Sequence, residues 1–400
     1  MMQYSLIQSR EKQVLQATKT YGTQKRDIYI SVGDINGIGL ELILRNHSFI
    51  VQYCNPIYCV SFEILQQASK LLNISLPTSM QVHTLDSSDI TIMPSQITKE
   101  SGMYSFQSFT CALELSVKHK VGLITLPINK RSWNLAGISY AGHTEYLRER
   151  FQKGAIMMLG CKELFVALFT DHIPLKDVPA RITKDSLKQF FHDFYGALVS
   201  QQIFTRQSSE YSQQTFDKGK LYGVKNILKS QILHSKLIAR LLRPYRDSAM
   251  LDSKHHLHQD YVKDMLPNYG NIDKIAVLGL NPHAGDGGVL GNEDFLIGEC
   301  IQEINQVLQK EIFVGPIAPD SAFIPHNRQK YRIFVAMYHD SGLSALKALY
   351  FYKSINISLN LPILRVSPDH GTGFDIAYRR KSVVDSRSYL ESVYFIVSHM

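Results

Sequence analysis

The chain has 400 residues, 44% hydrophobic and 20% charged, with 43 Lys and Arg against 35 Asp and Glu for a formal charge of +8. That length suits two α/β domains or one large one, and no apolar run approaches the roughly 18 to 20 residues that a membrane helix needs. Residues 206–268 hold 11 Lys or Arg against 6 Asp or Glu, so most of the excess charge sits in one stretch and argues against a nucleic-acid surface spread over the whole chain.

Residues 1–26 are basic and nearly free of acids, but lack the apolar segment of a secretory signal. They read as a flexible tail. Cys54, Cys59, Cys111, Cys161 and Cys300 are odd in number and show no C-x-x-C spacing, which predicts free thiols in a reducing cytoplasm.

From Asp27 onward, short β-branched or apolar runs alternate with helical patterns: DIYISVG, IYCVS, VGLITLP, AIMML, ELFVALF, KIAVLGL, EIFVG, YRIFVAM and INISLNLPILR. The alternation predicts an α/β fold with a largely parallel sheet covered by helices. HTEYLRERF, DSLKQFFHDFYGALVSQ and EDFLIGECIQEINQVLQ supply crossover helices, the last with Asn292 as its expected cap. Residues 206–270 break the rhythm. Their middle carries Val224, Ile227, Leu228, Ile232, Leu237, Leu241 and Leu242 near helical spacing among basic residues. Such a stripe packs on its own domain or meets an acidic partner or membrane surface. His255, His256 and His258, in a polar setting, read as a solvated loop.

Three histidines each follow an apolar strand-like run within a few residues: His172 in FTDHIP, His283 in GLNPHAG and His339 in AMYHDSG. In open α/β sheets ligands bind at those carboxyl ends. Imidazole is the commonest metal ligand, and a three-His site keeps coordination positions open for a substrate.

Four further segments carry candidate chemistry. SVGDINGIGLE places Gly33, Gly37 and Gly39 between a strand and a helix, but the spacing is not G-x-G-x-x-G, so a tight turn and a ligand loop stand equal. In AGHTEYL, His143 and Thr144 open a helix where both side chains and the free backbone N–H groups suit an anion, with Thr144 as a plain N-cap the alternative. After His339 a helix would place Lys347 two turns on, and Asn356 and Arg365 at the two ends of the next extended segment. Lys, Asn and Arg together suit a phosphorylated or carboxylated small molecule, with Arg taking the anion bidentately. SPDHGTGFDIAY combines His370, Gly371, Thr372 and Asp375; it fits a cofactor loop, or a strand-to-helix connection with Asp375 in the helix's first turn.

At these residues the chain resembles the 4-hydroxythreonine-4-phosphate dehydrogenase family of vitamin B6 biosynthesis. LPINK, GHTEYL, LNPHAGDGG, GPIAPDSAF, MYHD and LPILRVSPDHGTGFDIA occur in that family's order, from Ile30 to about Ala377 apart from the 206–270 insertion. GDINGIGLE stands where the family has a GDPAGIGPE-like run, Ser341 where Gln is common, and AYRRK where glycines are more frequent.

The resemblance implies a two-domain isocitrate and isopropylmalate dehydrogenase-like fold with the active site in the interdomain cleft. It implies a first domain of residues 27–135 plus 345–400 and a second of 136–344, and a homodimer whose metal site is shared between subunits. It matches His172, His283 and His339 to ligands of a divalent Zn, Mg or Co ion, and His143, Thr144, Lys347, Asn356 and Arg365 to substrate contacts. Gly371, Thr372 and Asp375 are the expected cofactor contacts for NAD or NADP. The reaction implied is oxidation of 4-hydroxythreonine 4-phosphate at C3 followed by loss of CO₂, with Lys347 or Asp340 as the general base. A dehydrogenase of another phosphorylated hydroxy acid, such as a threonate or erythronate phosphate, and a three-His metal hydrolase are the alternatives. Binding of nucleic acid or anionic lipid through the basic segment would be an added function.

Overall fold

The structure, a computed structural model, describes residues 25–201, 203, 274–379 and 382–399. The expected N-terminal tail through residue 24, the 206–270 insertion and the His255, His256 and His258 cluster lie outside the described residues. Eleven strands form one sheet: β1 (Asp27–Ser31), β2 (Asn55–Cys59), β3 (Gln81–His83), β4 (Gly122–Thr125), β5 (Ile156–Cys161), β6 (Leu164–Leu168), β7 (Ile275–Leu278), β8 (Phe313–Ile317), β9 (Ile333–Ala336), β10 (Ile355–Leu359) and β11 (Arg365–Pro368). Their order is β3-β2-β1-β4-β11-β10-β5-β6-β9-β7-β8.

The sheet is mostly parallel, as the alternation predicts, and its exceptions are grouped. β3 through β11 on one side, and β6, β9, β7 and β8 on the other, are parallel sets. Between them β10 runs antiparallel to β11 and β5, and β5 antiparallel to β6. β1, β4, β5, β6, β7 and β9 are buried almost throughout, as expected of strands covered on both faces.

Two elements depart from the sequence reading. INISLNLPILR is not one extended segment: it folds back through Asn360, whose φ is 62°, into the antiparallel pair β10 and β11. Ser358 thereby lies opposite Arg365, and Asn356 opposite Ser367. The 21-residue helix Lys99–His119 gives little apolar periodicity, because it buries Ser101, Ser105, Ser108 and Ser116 along with Tyr104, Phe109 and Leu113. Those hydroxyls have work to do: Ser108 accepts from the Val32 N–H at 3.0 Å and donates to the Cys59 carbonyl at 2.7 Å. All five cysteines are free, and among the described residues no helix is long and apolar enough to cross a membrane.

Candidate active site

The segment after β1 is a packed turn. At Gly33, with φ of 69°, an added Cβ would lie 2.2 Å from the Pro127 carbonyl oxygen, and at Gly37 it would lie 2.6 Å from that of Thr372. The glycines admit neighbouring backbone, and residues 31–44 are buried, which favours the tight turn over an exposed ligand loop. Thr372 meets this turn through its carbonyl, which accepts from the Ile38 N–H at 3.0 Å. Gly371 and Asp375 are exposed. No helix follows Asp375 directly, the next beginning at Arg387, so it is not a first-turn acid.

Arg365 opens β11 and is 2% exposed. Its Nε and Nη2 donate to Thr125 Oγ1 at 3.0 and 2.6 Å, Nη1 donates to Ser358 Oγ at 3.1 Å, and Nη2 donates to His143 Nδ1 at 3.2 Å. Every acceptor is neutral, and no carboxylate pairs with it among the described residues. Burial pushes the guanidinium down to about 9, so at neutral pH it is a charged group held without a counter-ion. The expected bidentate grip is corrected here: of five N–H groups, four are already engaged, which leaves a fixed cation with one donor to spare.

His143 begins the helix His143–Phe151, whose N-cap is Gly142 at φ 155° and not Thr144, which sits one residue inside the helix. The imidazole is buried, with ring contacts to Phe109 and Trp133 at centroid separations of 4.6 and 5.4 Å. Burial, and then the charge of Arg365, hold it well below the ordinary imidazole value. Because Nδ1 accepts from Arg365, the proton of the neutral ring is assigned to Nε2. Among the described residues that buried Nε2 has no partner, and Asn356 Oδ1 is likewise buried and unpartnered.

Lys347 stands two turns into the helix His339–Tyr350, as the spacing predicts. Its ammonium pairs with the Asp369 carboxylate and donates to the Asp369 carbonyl at 3.2 Å. Asp369 also accepts from Ser354 Oγ at 2.6 Å, and its N–H donates to Ser388 Oγ at 2.9 Å. Next in the chain, His370 Nδ1 meets the Gly371 carbonyl at 3.0 Å, and its buried Nε2 is unpartnered among the described residues.

The three expected metal ligands follow β6, β7 and β9, which are adjacent and parallel in the order β6-β9-β7. Leu168 pairs with Ala336, and the ladder continues as Phe169 N–H bonds the Ala336 carbonyl at 2.9 Å and Thr170 Oγ1 bonds that of Met337 at 2.6 Å. This extension brings His172 beside His339, ring centroids 5.7 Å apart. His339 Nδ1 bonds Asp340 Oδ1 at 2.6 Å, the arrangement in which a carboxylate orients an imidazole and leaves Nε2 free to ligate.

His283 lies in a left-handed run from His283 to Gly288. The Asp294 carboxylate secures the start of that loop, accepting from the Leu280 and Asn281 N–H groups at 2.8 and 3.2 Å and from the Asn281 amide at 2.9 Å. Asn292, the expected cap of that helix, makes no side-chain cap bond. Among the described residues no group of three His, Cys, Asp or Glu is gathered closely enough to hold a metal. The structure thus joins His172 and His339, and places His283 on the neighbouring strand end.

Thr125, Ser358, Asp369 and Asp294 went unremarked in the sequence. Their signal is weak: a hydroxyl in a strand, an acid just past one or an acid in a helix's first turn becomes informative only once its partner is in place.

The family model for the pyridoxal phosphate biosynthetic protein PdxA matches residues 52–208 and 248–396. The chain is 40% identical to a 4-hydroxythreonine-4-phosphate dehydrogenase of Sulfurimonas denitrificans, over 92% of this chain and 95% of that one. To the enzyme of the same name from Campylobacter fetus it is 39% identical, over 92% and 97%. Among solved structures, a 4-hydroxythreonine-4-phosphate dehydrogenase from Klebsiella pneumoniae shares the fold with a TM-score of 0.65 at 24% identity, covering 95% of this chain and 100% of that one. A terephthalate 1,2-cis-dihydrodiol dehydrogenase from Burkholderia xenovorans shares it at 0.56 and 17%, covering 94% and 98%.

Proposed function

The chain belongs to the PdxA family of pyridoxal phosphate biosynthetic proteins, and from that premise we propose that it oxidises 4-hydroxythreonine 4-phosphate at C3, with NAD or NADP and a divalent metal ion. The product, 2-amino-3-oxo-4-phosphooxybutanoate, loses CO₂ to give 3-amino-2-oxopropyl phosphate. The observation that carries the reading is the buried Arg365 guanidinium, held by neutral groups beside the unpartnered Nε2–H of His143. A cation fixed in a dry pocket is costly unless an anion arrives to neutralise it. A phosphorylated amino acid brings two.

In this reading Arg365 supplies the charge, His143 Nε2 donates to an anion oxygen, Thr144 lines the same helix start, and Asn356 Oδ1 accepts from a substrate donor. Because these groups are held before the substrate arrives, binding orients C3 with little further ordering. His172 and His339 suit two ligand positions of a metal, and His283 would complete them. Zn, Mg and Co all remain compatible with that donor set. The open turn at Gly371, Thr372 and Asp375, next to the orphaned His370 Nε2, suits the dinucleotide. When bound, a metal held there would supply Lewis acidity toward the C3 alcohol, and the dinucleotide would supply the hydride acceptor.

Asp340 is engaged with His339, so we assign it to orienting that ring. Lys347 is then the residue that handles protons. As an ammonium bound to Asp369 it can deliver a proton at once, and must pass one on before it can take the hydroxyl proton. We further propose a cytoplasmic homodimer whose partner chain completes the metal site, with the two domains hinged at the antiparallel strands β10 and β5.

The test follows absorbance at 340 nm as substrate and NAD⁺ or NADP⁺ are mixed with protein and metal. Cofactor reduction that requires the 2-amino group of the substrate supports the reading. Equal turnover of threonate or erythronate phosphate would move it to a related dehydrogenase, and phosphate release without cofactor would move it to a metal hydrolase.

A further inference from the structure

Two parts of the candidate site, the cluster of Arg365 and His143 and the pair of His172 and His339, are joined by one ion pair. Arg148 lies five residues beyond His143 on the helix that feeds the pocket. Its Nη2 donates to Asp171 Oδ2 at 2.5 Å, and Nη2 and Nε both donate to the Ala155 carbonyl at 2.8 and 3.2 Å, just before β5 begins. The other oxygen of the same carboxylate, Asp171 Oδ1, accepts from the His172 N–H at 2.7 Å. Asp171 is well shielded, its side chain 14% exposed against 38% for Arg148.

We infer that Arg148 and Asp171 are positioning residues, a strap that ties the turn bearing His172 to the helix bearing His143. The reasoning concerns what else could fix that turn. Its upstream side is anchored by Thr170 on the Met337 carbonyl. No hydrogen bond from the His172 ring occurs among the described residues, so its direction is set by its backbone, and that backbone is pinned by Asp171. The carboxylate is in turn fixed by a guanidinium that already grips a carbonyl, a forked contact that a lysine cannot reproduce. A histidine that ligates a metal needs such outer support, commonly worth 10- to 100-fold in affinity. The inference rests on the proposed metal role of His172.

The sign of the effect separates the strap from a mere charge. Arg148 is a cation near the proposed ion, so through-space repulsion alone predicts that removing it tightens metal binding. Positioning predicts the reverse. The full chain, freed of metal, is titrated with Co²⁺ and followed by its visible absorption, for the wild type, Arg148→Met and Arg148→Lys. Amide hydrogen exchange over residues 169–173 is measured on the metal-free proteins, after a thermal melt confirms that each variant is folded.

The strap predicts Co²⁺ binding weakened about tenfold in both variants, including Arg148→Lys where the charge is kept, together with faster exchange at 169–173. Binding as tight as the wild type or tighter in both variants overturns it. If the wild type binds no Co²⁺, or binds it unchanged after His172→Ala, the metal reading fails. The strap is then judged on exchange alone: faster exchange in the variants upholds it, and unchanged exchange overturns it.

Discussion

Arg365 and His339 stand for two ways of building a binding site in one sheet. The first lies among β4, β10 and β11, 2% exposed, with four of its hydrogen bonds made inside the chain before any ligand arrives. The second follows β9 with its side chain 40% exposed, one carboxylate to orient it and a neighbouring imidazole at 5.7 Å. The groups around Arg365 are fixed by bonds within the chain, and in the proposed reading they lack only an anion. The histidines are aligned by adjacent parallel strands, and in the proposed reading they would leave coordination positions open to a substrate. One region should therefore respond to mutation through affinity for an anion, and the other through its need for a metal and for whatever closes over it.

The largest effect is expected at the open end. His283→Ala should lower turnover on the order of 10³- to 10⁴-fold, since a Lewis acid supplies several kcal/mol to such a reaction. Because His283 is exposed, the melting temperature should hardly move, as for surface substitutions worth about 0.5 kcal/mol or less. Steady-state rates with added metal and with a chelator, beside a thermal melt, check both halves. Wild-type turnover in this variant would remove the metal assignment and leave the anion pocket as the only functional region.

At the closed end, Arg365→Lys should cut kcat/KM roughly 10²- to 10³-fold. A lysine keeps the charge but cannot serve Thr125, Ser358 and His143 together. Thr125→Val sharpens the point, because it keeps the guanidinium and removes the oxygen that accepts from two of its nitrogens. It should raise KM about tenfold, in line with one or two lost hydrogen bonds to a charged donor. Substrate titration of both variants decides it, and unchanged KM in each would mean that the anion binds elsewhere.

Much of this arrangement was legible in the sequence, for an identifiable reason. Buried parallel strands are continuous apolar runs, and a histidine just past such a run is forced to one edge of the sheet, so the shared edge of His172, His283 and His339 followed from context, whereas only His172 and His339 have their rings side by side. Helical spacing likewise placed Lys347 two turns after His339. Where tertiary contact decides, the sequence was silent. The fold-back at Asn360 that sets Ser358 against Arg365 was read as continuous strand, since both halves are apolar and only φ at one residue parts them. The serine-lined helix Lys99–His119 hides its buried face because its hydroxyls bond protein groups rather than water, as Ser108 does with the Val32 N–H just past β1 and the Cys59 carbonyl of β2. Of the two readings open for Thr144, an anion contact or a plain helix cap, the second is removed because Gly142 holds the cap position. The parallel halves were thus foreseeable, and the polar contacts that turn them into a site were not.

The smallest predicted effect concerns protons rather than turnover, and it bears on the closed region. His143 is held neutral in the folded protein, by burial first and by Arg365 second. In the unfolded chain its imidazole takes up a proton below about pH 6.5. The unfolded state then binds more protons than the folded one, so the stability contributed here is present above that pH and is lost as pH falls. The slope amounts to about 1.4 kcal/mol per pH unit for one such group. His143→Gln should flatten the dependence of unfolding free energy on pH between about 6.5 and 5, leaving the acid limb due to carboxylates in place. Denaturant unfolding at a series of pH values measures it. A slope in that range unchanged by His143→Gln would contradict the sealing of this imidazole by burial and Arg365.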